Sequence, residues 1–302
     1  MDDFGSQAEP APASPERKRE MSEEYILTLA CPDRVGIVHA VSGLLAGASC
    51  NILASAQHAD RDSGMFFMRT QFAGGSIPRT ELARRFAGVA QQLEMQWELH
   101  DANHRPRVLV LASRIGHCLN DLLYRFSSGL MAADFRGVVS NHPDFEALTR
   151  AHDLPFHHLP VSNENRAVQE ARLLALINSE AIELVVLARY MQILSPSLCR
   201  ALAGRAINIH HSFLPSFKGA KPYAQAHERG VKLIGATAHF VTEDLDEGPI
   251  IEQDVARVNH GYSAEQMTAA GRDVECVVLS RAVNWFVQRR VLLNGNRTIV
   301  FH

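Results

Sequence analysis

No stretch of this 302-residue chain strings together the roughly 20 apolar residues that a membrane-spanning helix requires. The sequence therefore predicts no membrane partner. Cysteine is sparse: five residues, Cys31, Cys50, Cys118, Cys199 and Cys276, with no Cys-x-x-Cys spacing. That excludes a disulfide framework and a zinc ribbon, and it reads as free thiols, buried or half-buried, in a reducing cytoplasm. Excess charge is missing too, with 30 basic residues against 33 acidic. A nucleic-acid partner is not expected without a concentrated basic surface. The acidic, Pro- and Ala-rich start lacks the apolar core of a signal peptide, so residues 1–21 are expected to be a disordered tail. No internal repeat is found.

What the chain does have is a short strand carrying polar groups at its exit. Residues 206–210 read Ala-Ile-Asn-Ile-His. Side chains alternate along a strand, so Ile207 and Ile209 face a core while Asn208 and His210 share the other face. An amide donor beside an imidazole suits carbonyl chemistry, because together they can stabilise an oxyanion and move a proton.

Around this strand two units are predicted. Residues 22–104 alternate as strand, helix, hairpin, helix and strand, the βαββαβ order of a ferredoxin-like α+β fold. That order, the turn Pro32-Asp33-Arg34-Val35-Gly36-Ile37, and Asn51-Ile52 opening the second strand resemble the ACT regulatory family. The resemblance implies an amino-acid effector near Asp33, Gly36 and Asn51, often at a dimer interface. Free N–H groups at such a turn can receive a carboxylate. The alternative is that Asp33 caps the helix and Gly36 serves the turn alone. Residues 105–302 alternate apolar strands with helices, which predicts an α/β unit with a doubly wound, mostly parallel sheet and a ligand at the carboxyl ends of its strands.

A second constellation lies beyond the Asn-x-His strand. Residues 235–251 read as strand, acidic loop and return strand, with His239 on the strand and Asp246 just before Gly248-Pro249. Taken together, Asn208-Ile209-His210-x-Ser212-x-Leu214-Pro215, Leu245-Asp246-x-Gly248-Pro249 and the segment 187–194 resemble the folate-dependent formyltransferase family over residues 107–290. That resemblance implies a catalytic trio of Asn208, His210 and Asp246. It also implies a pterin pocket walled by Met191, Gln192, Ile193, Leu194, His239, Thr242, Glu243, Asp244 and Leu245.

Amine-using members carry a Gly/Ser-rich loop after the first strand to hold a substrate phosphate. Here that loop keeps one glycine, Gly116, behind Ile115, and His211 stands where those members commonly have proline. With an ACT unit attached, the resemblance implies a hydrolase of a linear amide-type C–N bond: 10-formyltetrahydrofolate plus water gives formate and tetrahydrofolate. The reaction would supply formate for purine biosynthesis and balance the one-carbon folate pool. No cofactor and no metal are expected, the folate being the substrate, and ACT pairing implies a homodimer or homotetramer. The chain is too short for an added aldehyde-dehydrogenase module.

Some readings stay open. By residue type His210, His211 and His239 are a candidate metal cluster, although the Asn-x-His arrangement favours a metal-free site. His157 and His158 read as strand-end residues, and Tyr190 and Met191 as core or wall. Lys218 and Lys221 either attract the anionic tail of the folate or are solvated loop charges. As a general base, Asp246 needs a raised pKa, which Glu243, Asp244, Glu247 or burial could supply.

Overall fold

The computed structural model describes residues 23–214 and 222–302. The expected tail at 1–21 lies outside the described residues, as do Pro215, Lys218 and Lys221. Among the described residues no helix is long and apolar enough to cross a membrane.

The first unit comprises β1 (Glu24–Pro32), α1 (Ile37–Gly47), β2 (Asn51–Asp60), β3 (Met65–Ala73), α2 (Arg79–Gln92) and β4 (Gln96–Asp101). Its sheet is antiparallel, ordered β2-β3-β1-β4, the ferredoxin-like arrangement. Strand alternation explains its two faces. Tyr25, Leu27, Leu29, Phe66, Met68 and Phe72 pack with Ile37, Val41 and Leu45 of α1 and with Leu82 and Phe86 of α2. On the other face Ile26, Phe67 and Arg69 are also buried, because the second unit covers them. There Arg69 Nε and Nη2 donate to the Gln288 carbonyl at 3.2 and 3.0 Å. Asp60 accepts from Asn294 Nδ2 at 2.6 Å. Strand β2, at the edge, is exposed along almost its whole length.

The second unit begins with β5 (Arg107–Ala112), α3 (His117–Ser127), β6 (Asp134–Ser140), α4 (Glu146–Arg150), β7 (Phe156–His158) and α5 (Arg166–Ser179). It continues with β8 (Leu184–Leu187), α6 (Pro196–Ala201), β9 (Ala206–His210), α7 (Pro222–Glu228), β10 (Leu233–Phe240) and β11 (Ile250–Arg257). The long helix α8 (Ala264–Val287) and a small hairpin, β12 (Val291–Asn294) with β13 (Arg297–Val300), close it.

The seven-stranded sheet is ordered β11-β10-β9-β8-β5-β6-β7. Pairing is parallel from β9 through to β7, while β10 and β11 run antiparallel. The expected mostly parallel α/β sheet is present. On one face Val108 and Val110 pack with Leu119, Leu122, Val278 and Val283 of α3 and α8. On the other, Leu109 and Leu111 pack with Leu173, Ile177 and Leu198 of α5 and α6. Coverage of both faces is why the strands read as continuous apolar runs. The chain order reverses between β5 and β8, which opens a crevice at the carboxyl ends of these strands. Helix α8 starts with a capping box in which Ser263 and Gln266 each bond the other's backbone N–H.

The buried Arg69 contact yields a test. Replacing Arg69 by alanine strips the Gln288 carbonyl of two charged donors and leaves it covered, a cost of about 2 kcal/mol. The denaturant midpoint should fall accordingly, with the change in slope on unfolding left small.

Candidate active site

Strand β9 delivers its two polar residues as its alternation requires. Ile207 and Ile209 enter the core, and Asn208 and His210 emerge together on the opposite side. His239 faces Asn208 directly across the antiparallel β9–β10 pair. Their side chains meet, Asn208 Nδ2 to His239 Nε2, at 3.2 Å. His239 Nδ1 lies 2.9 Å from the Phe240 carbonyl. Donation to that oxygen leaves Nε2 to accept from the Asn208 amide, so one Asn208 N–H is engaged and the other is left for a ligand. A register shift in β10–β11 between Ala238 and His239 helps re-aim the ring.

Asp246 arrives from the loop joining β10 to β11. It adopts a left-handed backbone, φ 59, a conformation uncommon outside glycine and tolerated by Asp and Asn. Gly248 holds the loop down: a Cβ there would lie 1.7 Å from the Phe240 carbonyl oxygen. The return strand is tied by a bond from Phe240 N–H to the Pro249 carbonyl at 2.9 Å. The result puts Asp246 Oδ2 3.2 Å from His210 Nδ1 and Asp246 Oδ1 3.6 Å from His239 Nε2. His210 Nε2 is buried with no partner among the described residues.

The electrostatics do not raise the Asp246 carboxyl as a general base would need. Burial does push the Asp246 carboxyl up, but the imidazoles beside it, His210 first, outweigh it, and the net shift is downward. The loop carboxylates do not decide the matter. Asp246 therefore stays ionised, in a position to hold and balance an imidazole.

A cleft of about 290 Å³ opens in front of these groups, at the small end for ligand pockets. Met191, Gln192, Ile193, Leu194, Thr242, Glu243, Asp244 and Leu245 all line it, with Asn208, His210, His239 and Asp246 at its floor. Met191, Ile193 and Leu245 are each more than half exposed, so apolar walls face solvent on both sides of the opening. Arg189, Tyr190, Cys199, His211 and Val241 line it as well. Arg189 and Tyr190 fall in the segment 187–194 that carries the family resemblance, whereas Cys199, His211 and Val241 were not among the expected pocket residues. Tyr190 belongs both to the core and to the cleft, since it is 8 % exposed and packs with Leu194 and Leu198.

Other expectations fare differently. Helix α1 is capped by Gly36 at φ 97 with no side-chain cap bond, so Asp33 does not cap it. Gly36 lines a shallow hollow between α1 and α2 with Val35, Ala40 and Leu44; Asp33 and Asn51 are not among its lining residues. His210, His211 and His239 do not form a group with metal-ligand spacing; among the described residues that spacing occurs at His117, Cys118 and Cys276. At the turn after β5 a Cβ on Gly116 would meet the Phe145 ring at 2.5 Å, so an aromatic side chain packs against the one glycine of that loop.

His211 carries a pH test. Burial, then the charges of Arg189 and His210, lower its pKa to about 4. Between there and the ordinary histidine value the unfolded chain binds the extra proton, so folding stability falls as pH drops through that window. The full effect by pH 4 is roughly 3 kcal/mol. His211→Gln should flatten the acid side of a stability-versus-pH curve measured from pH 7 to pH 4.5.

Known proteins resemble this chain over most of its length. A model of the formyl transferase family matches residues 106–283. A formyltetrahydrofolate deformylase of Corynebacterium sp. (strain P-1) is 50% identical over 284 residues, covering 93% of this chain and 99% of that protein. The namesake from Bacillus subtilis (strain 168) is 45% identical over 91% of this chain and 93% of its own length. A crystal structure of formyltetrahydrofolate deformylase from Burkholderia mallei, 54% identical, superposes over 93% of this chain and 100% of its own with a TM-score of 0.90. Glycinamide ribonucleotide transformylase 1 from Symbiobacterium toebii is 30% identical, with a TM-score of 0.62 over 68% of this chain and 98% of its own.

Proposed function

The chain belongs to the formyltetrahydrofolate deformylase family, and from that premise we propose that it hydrolyses 10-formyltetrahydrofolate to formate and tetrahydrofolate through Asn208, His210 and Asp246. One observation carries the residue assignment. Three polar side chains from β9 and the β10–β11 loop converge at the floor of an apolar-walled cleft, with His210 Nδ1 3.2 Å from Asp246 Oδ2.

In this reading the pterin ring lies between the wall of Met191, Ile193 and Leu194 and the wall from Thr242 to Leu245. Water attacks the formyl carbon. Charge building on the formyl oxygen is met by the unspent Asn208 N–H and by His210 Nε2, placed before the reaction begins. Asp246 holds the His210 Nδ1–H, fixing the ring and stabilising it when it is protonated. The carbon–N10 bond then breaks. The added hydroxyl leaves as part of formate, and N10 takes a proton that originated on the water. His239 keeps Asn208 turned toward the substrate. The Phe145 ring against the one glycine of the turn after β5 supports water, not a phosphate-bearing amine, as the acceptor.

The reading includes no resident metal, so incubation with a chelator should leave the rate unchanged. It also includes a homo-oligomer, supported by the exposed edge strand β2 with Ile52 and Leu53 at the surface, and an amino-acid effector at the first unit. The experiment is formate release from 10-formyltetrahydrofolate, run with and without glycine, methionine and glycinamide ribonucleotide. Formate produced in the absence of any amine is the expected result. A formylated amine as the sole product would overturn hydrolysis, and indifference to both amino acids would remove them as effectors.

A further inference from the structure

Glu275 on α8 is a carboxylate 1 % exposed that does not line the cleft. Burying a charge destabilises a fold unless partners compensate, and an apolar replacement often serves stability as well. Its partners come from three other parts of the chain. His117 Nε2, at the start of α3, lies 2.8 Å from Oε2. The Tyr223 hydroxyl on α7 donates to Oε1 at 2.7 Å. Arg189 Nε, just past β8, is 3.4 Å from Oε2. Burial pushes the Glu275 carboxyl up, and these partners more than reverse it, so it stays ionised.

A second feature sits one turn earlier on the same face of α8. A Cβ on Gly271 would lie 2.1 Å from Tyr223 Cζ and 2.3 Å from its hydroxyl. The tyrosine ring fills a notch that a glycine makes inside a helix, where glycine is unfavourable. Two destabilising choices thus coincide, and both fix the place of one ring.

That ring leads back to the chemistry. Tyr223 meets His211 edge-on at 6.4 Å, and His211 lies against His210 at 5.0 Å between ring centroids. His210 is held at Nδ1 by Asp246, and a single hydrogen bond leaves an imidazole free to rock about that contact. A second restraint against its face fixes the ring plane and the aim of Nε2.

We propose that Glu275 is a positioning residue for the hydrolysis, seating Tyr223 so that His211 braces His210 with its Nε2 turned into the cleft. This deepens the deformylase reading and rests on it. Neither Glu275 nor Tyr223 lines the cleft, so substrate binding does not depend on them directly. Misaiming one reacting group by a fraction of an ångström acts on turnover more than on affinity.

A double-mutant cycle tests it, read as kcat and KM for formate release. Glu275→Gln is expected to lower kcat about tenfold with KM changed less than about twofold, and in a His211→Ala background the same change should cost under about twofold more. Tyr223→Phe, which keeps the ring and drops the hydroxyl, carries the same cycle where Glu275→Gln does not fold. A folded Glu275→Gln protein with wild-type kcat overturns the inference, as do equal losses with and without His211. Wild-type protein that releases no formate overturns the deformylase reading and this inference with it. Formate release by the wild type beside an unaffected variant overturns this inference alone.

Discussion

Asp246→Asn should reduce formate release by about three orders of magnitude, the middle of the range that general acid–base catalysis contributes. The substitution isolates charge from shape. Asparagine matches aspartate in size and accepts the left-handed backbone, φ 59, that this position requires. The loop should therefore keep its path over Gly248. What is lost is the negative partner of His210 Nδ1. Without it, protonated His210 has no counter-charge, and the amide can equally present an N–H, which favours the wrong imidazole tautomer. Binding of a non-hydrolysable folate analogue, followed by calorimetry, should change by no more than a few-fold, because the walls at residues 191–194 and 242–245 are untouched. A variant turning over within about tenfold of wild type would reject the role given to this carboxylate.

Asn208→Ala should lower kcat by about 10²–10³, the usual consequence of removing one donor to a developing oxyanion. KM should move less than threefold or so, since the bond strengthens as charge develops and contributes little to the resting complex. Asn208 is also the cross-strand partner of His239, so truncation frees that ring at Nε2. His239→Ala supplies the control. If Asn208 acts mainly by steadying His239, the two single variants resemble each other and the double variant is no worse than either. If it meets the oxyanion, Asn208→Ala is the more severe. A pure KM effect would count against the oxyanion role.

Much of this site could be read from local pattern. Period-two alternation puts Asn208 beside His210, and the Gly248-Pro249 turn marks the loop that carries Asp246. These are short-range facts, set by a strand's geometry and a turn's backbone. The apolar continuity of 107–112 and 184–187 likewise reflects burial on both sheet faces.

The sequence was silent where distant segments meet. Nothing local distinguishes Glu275 from the other acidic residues of a long helix; its role comes from Tyr223, 52 positions away, and from His117, 158 positions away. Arg189 belongs to the segment 187–194 that carries the family resemblance, but nothing local gives it a place in the pocket wall. It lines the cleft because the chain leaves β8 through a left-handed residue, φ 62. The direction of the Asp246 shift is open in the sequence for the same reason. Neighbours in sequence, Glu243, Asp244 and Glu247, suggested repulsion, whereas the nearest charges in space are two imidazoles. One of the two readings of Asp33 makes it a helix cap, but the positive φ of Gly36 starts α1 three residues later.

Arg69 reaches from the N-terminal sheet to the last carbonyl of the helix that, three to four turns back, carries Glu275. The two halves are consequently not beads on a string that a protein engineer can trade at will. A fragment cut at residue 105 would bare the surface that Ile26 and Phe67 now shield, and would release the far end of the rod against which the reactive histidine is indirectly propped.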